Sequence, residues 1–179
     1  MAKLVTYAVL NSMNENIGPE LIARAEHDVN MRKKTLKNPF RWNPSIDNDN
    51  AKYLKQLVEQ DGWPTISVVG ATASQAAWLI VQHADHDPAF QKRCLALMQN
   101  LPEGEVNPAN IAFLEDRILI NDGKPQKYGT QFEGEGHSFG PYPIEDQANL
   151  DTRRAKMGLE PFAEYKATMF AQYVPKRKP

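Results

Sequence analysis

Imidazole, carboxylate, carboxamide and phenol groups crowd into three short stretches of this chain. They are Trp63-Pro64, Gln82-His83-Ala84-Asp85-His86-Asp87 and Gln126-Lys127-Tyr128-Gly129-Thr130-Gln131. Apolar runs bound them, where a helix serving only as scaffold would place leucine. Such a mixture suits gripping or protonating a small polar molecule. His83 ends a helix that reads as buried. The dipole at that helix end and the carboxylates of Asp85 or Asp87 favour its cation, while burial opposes the charge. A histidine balanced in that way serves as general acid or base. The plain alternative is a core histidine bonded to a helix-end carbonyl.

On a strand, Gln126, Tyr128 and Thr130 share one face, and Lys127, Gly129 and Gln131 the other. Two glutamines, a phenol and a hydroxyl form a hydrogen-bonding wall able to orient an amide, carboxylate or sugar. Buried, they must find partners, because an unmatched polar group costs roughly 1–3 kcal/mol. Mutual bonding across a hairpin would meet that need without any ligand. Gly129 predicts a bulge or a close approach by another backbone or a ligand.

His83, His86 and Asp87 fall at i, i+3 and i+4, which raises a metal site. Zinc needs three or four converging ligands with outer partners holding each imidazole. Asp87-Pro88 reads better as a helix start, so no metal or other cofactor is expected. Asp116 and Arg117, being adjacent, point apart on a helix. One of them faces inward to bond loop backbone, or the pair anchors substrate. Asp28 and Arg32, at i and i+4, read as a surface ion pair of little energetic weight. Arg153-Arg154 can fork onto a carboxylate or phosphate, or tether a loop. No nucleophile elbow, P-loop, dinucleotide glycine fingerprint or paired-cysteine motif occurs in the sequence.

The elements that must hold these groups are mostly helical. Pro19 to Lys37 carries Leu21, Ile22, Ala25, Val29 and Arg32 at helical intervals. Asn38-Pro39 ends that helix, and Pro44 keeps the next stretch irregular. Asp47, Asn48 or Asp49 caps a second helix through Glu59, closed by Gly62. Ser67 to Gly70 is a loop or extended piece. A nearly all-apolar helix follows, capped by Thr72 or Ser74 and running to His83. Asp87-Pro88 opens a fourth helix and Pro108 a fifth. Residues 117–121 and 126–132 read as a hairpin around Asn121-Asp122-Gly123. Gly134 to Pro143 forms a glycine- and proline-rich loop, of the kind that is usually functional or mobile. Asp146 to Met157 is helical up to Gly158, and Pro161 starts a last helix through Tyr173. The fold class is therefore mainly α: a single-domain bundle of about six helices with one small β-hairpin. Residues 1–179 form one domain, with 1–18 and 174–179 peripheral.

Composition narrows the partners. The formal net charge is −1, from 21 basic and 22 acidic side chains, so no field draws the chain to nucleic acid. No apolar stretch is long enough to span a bilayer, which removes a membrane partner. The single cysteine, Cys94, excludes an internal disulfide framework and sits among apolar neighbours as a core thiol. No cleavage pattern follows the short apolar run after Lys3, so a cytoplasmic location is expected. Oligomeric state is not legible in these residues.

Taken in order, Gly62-Trp63-Pro64, Val69-Gly70, Gln82-His83-Ala84-Asp85, Asp116-Arg117, Gln126-x-Tyr128-Gly129-Thr130-Gln131, Pro143-Ile144-Glu145-Asp146 and Arg153-Arg154-x-x-x-Gly158-Leu159 resemble the signature of a bacterial domain-of-unknown-function family. The resemblance covers roughly residues 20–166. It implies His83, Asp85, Asp116, Arg117, Gln126, Tyr128 and Gln131 as site positions. That pattern carries a glutamine beside the aspartate where Val29 stands here, which argues against a site role for the first helix.

These observations together predict a small enzyme, working without cofactor, that hydrolyses or cyclises an amide, ester or lactam-type group. His83, Asp85 and Tyr128 form its catalytic set: His83 shuttles the proton and Asp85 orients it. Trp63, Gln82, Asp116, Arg117, Gln126, Thr130 and Gln131 bind substrate, with Arg117 anchoring a negative substituent and the glycine-rich loop covering the pocket. The rival reading is a sequestering, immunity or regulatory module that binds a small molecule or a protein without turnover.

Overall fold

Proline and glycine punctuate the helices at nearly every boundary. The computed structural model describes residues 2–37 and 43–174, with side chains for 16–35 and 43–174. The chain is mainly helical with one two-stranded antiparallel hairpin, as the sequence predicts. It divides into two compact units, Met1–Asn107 and Pro108–Pro179. No described helix is long and apolar enough to cross a membrane.

In the first unit α1 spans Ala2–Lys37 with Pro19 inside it. Its expected end at Asn38-Pro39 lies outside the described residues. Helix α2 spans Pro44–Asp61, and here the expectation fails. Pro44 does not interrupt structure; it occupies the first helical turn, where the missing N–H is no loss. The cap is Asn43, whose side chain accepts from the Ser45 N–H. Gly62 closes α2 at φ +80°, as expected. Ile66–Val69 is a single helical turn, α3, rather than a loop or strand. Helix α4 (Ala71–Gln82) follows Gly70, and His83 stands at its C-cap. Helix α5 (Pro88–Gln99) starts on Asp87, whose carboxylate accepts from the Phe90 N–H at 3.0 Å.

The core of this unit gathers around α4. Ala73, Ala77, Ile80 and Val81 are buried with Leu21 of α1, Leu54 and Val58 of α2, and Phe90, Cys94 and Met98 of α5. Small side chains on α4 let α1 pack close, and each fully buried leucine contributes about 1.5–3 kcal/mol. Cys94 is a core thiol, pushed up to about 12 by burial, so it holds no reactive thiolate.

The second unit departs from expectation at its start. Residues 117–121 are not a strand: α6 runs unbroken over Pro108–Asn121. Asn121-Asp122-Gly123 ends this helix instead of turning a hairpin. The Lys124 N–H bonds the Leu119 carbonyl at 2.9 Å, the Gly123 N–H bonds Ile120 at 3.0 Å, and Gly123 takes φ +71°. That paired closure is a glycine helix stop. The hairpin lies further on, where β1 (Phe132–Glu133) pairs with β2 (Gly140–Pro141), Phe132 opposite Pro141. Gln126 forms only an isolated parallel bridge with Ile144. Helix α7 (Leu150–Lys156) and helix α8 (Phe162–Tyr173) complete the unit. An aromatic cluster of Phe132, Phe139, Phe162, Tyr165 and Phe170 seats the hairpin on α8.

Candidate functional site

The first unit builds its site from three helices. Leu21, Ala25, Asp28 and Arg32 lie on successive turns of α1, so Asp28 stands on the stripe that faces the core. It is 1% exposed, which corrects the expectation of a surface ion pair with Arg32. Its Oδ2 accepts from Nδ1 of His83 at 2.5 Å, and its Oδ1 accepts from Nε of Arg32 at 2.7 Å. Arg32 then reaches α2, donating from its Nη2 to Oδ1 of Asp47 at 2.7 Å. One chain of bonds thus runs His83–Asp28–Arg32–Asp47 through α4, α1 and α2. The first helix supplies the partners of His83, a placement that the expectation drawn from Val29 did not foresee.

The charges respond to this arrangement. Burial pushes the Asp28 carboxyl upward, but the bonds and charges of His83 and Arg32 outweigh it and hold the group below the ordinary aspartate value. Burial raises the Asp47 carboxyl above that value, against the pull of Arg32 and with help from the neighbouring Asp28 charge. The His83 side chain is 17% exposed, and among the described residues Nδ1 alone is hydrogen-bonded, to Asp28. In the neutral ring with Nδ1–H given to Asp28, Nε2 is the nitrogen left with the lone pair. Asp28, Asp47 and His83 also bring one ligand atom each within 4.8 Å of one another, the geometry from which a metal could be held. Arg32 already bonds both carboxylates and supplies positive charge between them.

The other expected residues of this unit stand nearby in sequence with different partners. Asp85 is exposed and accepts from the Gln91 amide at 3.2 Å, so the carboxylate that orients His83 is Asp28. Gln82 is buried at the last position of α4. Trp63 is 5% exposed and lines a cavity of ≈ 330 Å³ with Leu57, Val68 and Leu101.

In the second unit the polar wall closes on itself. Asp116, 0% exposed on α6, accepts from four donors on three residues of the Lys127–Thr130 loop. Lys127 N–H lies at 2.7 Å and Tyr128 N–H at 3.0 Å from Oδ1, and Thr130 N–H and hydroxyl at 3.0 and 2.9 Å from Oδ2. The chain belongs to the DUF6624 family of unknown function. The family model matches residues 17–178, which include every residue of both clusters. No curated protein and no solved structure matches the chain.

Within this DUF6624 chain the loop carbonyls are bonded as fully as its N–H groups. Arg154, 1% exposed, donates to the Tyr128 carbonyl at 2.6 Å and to Glu160 at 2.7 Å. Its guanidinium lies over the Phe162 and Tyr165 rings. Arg153 bonds the Lys127 carbonyl at 2.9 Å and also the Glu145 carbonyl, and the Tyr165 hydroxyl donates to the Thr130 carbonyl at 3.0 Å. Gln126 donates to the Gln131 and Tyr142 carbonyls and accepts from the Gln131 N–H. Gln131 donates to the Thr130 hydroxyl and accepts from Arg117 at 3.3 Å. The Tyr128 hydroxyl donates to Glu115 at 3.3 Å, and burial first, then the Glu115 charge, pushes it up to about 12. Burial also raises the Asp116 carboxyl, against the loop donors that favour its anion.

Residues 126–131 are thus a knotted loop rather than the strand read from the sequence. Their bonding is mutual, centred on a carboxylate instead of a hairpin partner. Gly129, at φ +69°, fits because a Cβ there would lie 2.8 Å from Phe162 Cε2; the close approach is by a side chain, where the sequence predicts a backbone or a ligand. Arginines 153 and 154 act as loop tethers. The structure therefore gathers Asp116, Arg117, Gln126, Tyr128, Thr130 and Gln131, and adds Asp28, Arg32 and Asp47 beside His83. A signal for Asp28 existed: an aspartate at the position of a core stripe.

Proposed function

We propose that the chain is an acid–base catalyst working without an organic cofactor on a polar small molecule. It hydrolyses or cyclises an amide, ester or lactam-type group, with His83 as the proton carrier. The observation that supports this reading most is the bond from His83 Nδ1 to a buried, ionised carboxylate, Asp28. That bond fixes the tautomer, leaves Nε2 as base, and stabilises the imidazolium formed when Nε2 takes a proton. In hydrolysis Nε2 removes a proton from water as the oxygen attacks the carbonyl carbon. The same proton then passes to the leaving amine or alcohol as the bond to carbon breaks. In cyclisation an amine or hydroxyl of the substrate replaces the water.

Arg32 is a positioning residue here, holding the Asp28 carboxylate toward the ring and Asp47 behind it. The loop network of the second unit enters as scaffold, because its donors and acceptors are matched internally. A binding module without turnover is the second reading: the same His83–Asp28–Arg32–Asp47 chain would present Nε2 of His83 to a ligand as a fixed hydrogen-bonding group.

A panel of model esters, amides and lactams, assayed with the parent and with His83→Gln and Asp28→Asn, separates the two. Catalysis requires that His83→Gln abolish turnover and that Asp28→Asn lower kcat by roughly 10²-fold or more. A compound that raises the melting temperature but is recovered unaltered assigns the chain to binding. Full turnover by folded His83→Gln rejects the catalytic role.

A further inference from the structure

Beside the site, α1 and α4 leave a groove of ≈ 470 Å³ between them, lined by Ile22, Ala25 and Val29 on α1 and by Thr72, Ala76 and Leu79 on α4. Glu26, Asn30 and Lys33 stand exposed along its α1 edge. Among the described residues neither Glu26 nor Lys33 has an ion-pair partner. Seven residues apart, they are separated by about 10 Å along the helix, too far to neutralise one another. The groove is thus an apolar strip with one acidic and one basic end.

We propose that this groove seats a second copy of the chain, the two α1 helices packing antiparallel about a two-fold axis between Val29 and Asn30. Glu26 and Lys33 lie equally far from that midpoint on one helical face. A two-fold axis there sets Glu26 of each copy beside Lys33 of the other, twice over, which is the self-complementarity an isologous interface needs. A parallel arrangement would place like charges together. The apolar groove residues fill the space between the charged ends. Because Asp28 and Arg32 ride on the same helix, pairing would also brace the helix that holds the His83 carboxylate. The inference stands apart from the catalytic reading and survives its failure.

Sedimentation equilibrium of the full chain tests it. The expected mass is twice that of one chain, with a dissociation constant that weakens as salt rises. Lys33→Glu or Glu26→Lys alone should weaken dimerisation by roughly tenfold or more, and the double reversal should restore it. Both positions are exposed, so circular dichroism of the variants should match the parent. Asn30→Cys should give a disulfide-linked dimer on oxidation, since Cys94 is buried. A monomer at every concentration up to about 1 mM overturns the proposal. So does a dimer indifferent to either reversal, or one that the double reversal fails to rescue.

Discussion

Replacing Asp28 by asparagine preserves the side chain's shape and removes its charge, so it isolates what the anion contributes. Asp28 accepts from His83 at 2.5 Å and from Arg32 at 2.7 Å, and it is 1% exposed. Hydrogen bonds to a charged group contribute about 1.5–3 kcal/mol each, and breaking a buried ion pair costs about 3–5 kcal/mol. The two bonds share one carboxylate and are not additive, so a loss of about 3–5 kcal/mol is expected. Against a total stability of about 5–15 kcal/mol that is a large fraction. Urea unfolding reads it directly, with a midpoint lowered by roughly 1–5 M for m-values near 1–3 kcal/mol/M. The fluorescence signal belongs to the right unit, because all three tryptophans, at positions 42, 63 and 78, precede residue 107.

Acid supplies the second half of the test. The folded Asp28 carboxyl lies below its unfolded value, so its contribution is complete above the unfolded value and is lost as pH falls through the folded one. The gap between parent and Asp28→Asn should therefore be widest near neutrality and shrink below about pH 4. An unchanged midpoint at pH 7, or a gap that does not narrow in acid, would refute the assignment of Asp28 as a buried, paired anion.

Two substitutions probe the second unit. Asp116→Asn leaves at least one N–H of the Lys127–Thr130 loop facing an amide donor, at a cost of about 1–3 kcal/mol. Amide exchange should accelerate at Lys127, Tyr128 and Thr130, and protection equal to the parent's at these three would contradict the network. Gly129→Ala combines φ +69° with a Cβ 2.8 Å from Phe162, whereas Gly158→Ala meets φ +65° in open space. The first should cost more than the second, which pays only the left-handed penalty of about 1–2 kcal/mol; equal losses in thermal melts would show that the Phe162 contact carries no weight.

Helix positions were largely legible in the sequence, because proline at first turns and glycine at closures act locally. Asp87-Pro88, Gly62 and Gly158 mark boundaries that the structure keeps. Local signals failed where they were ambiguous. Asn121-Asp122-Gly123 suits both a hairpin turn and a helix stop, and the packing of α6 decides between them. Ile118 and Ile120 follow the helix despite their β-branched preference, as tertiary context overrides propensity. The residues of the polar loop were legible as a group, but not the carboxylate that organises them, since Asp116 lies 11 residues before the first donor it holds. His83 was legible as a candidate from its place at a helix end. Its partner Asp28 lies 55 positions away; its place on the Leu21–Ala25 stripe marks it as core-facing, but spacing within one helix does not pair it with His83.

The bonding of the Lys127–Thr130 loop bears on how the second unit assembles during synthesis. Its N–H groups wait on Asp116, already made, but its carbonyls wait on Arg153, Arg154 and Tyr165, which leave the ribosome 26 to 35 residues later. Until they emerge, the segment is anchored along one edge only. A chain cut before Leu150 would keep the carboxylate and forfeit every tether on the carbonyl side, so the segment from Leu150 onward acts as the lock that turns a tacked-down strip into a closed one.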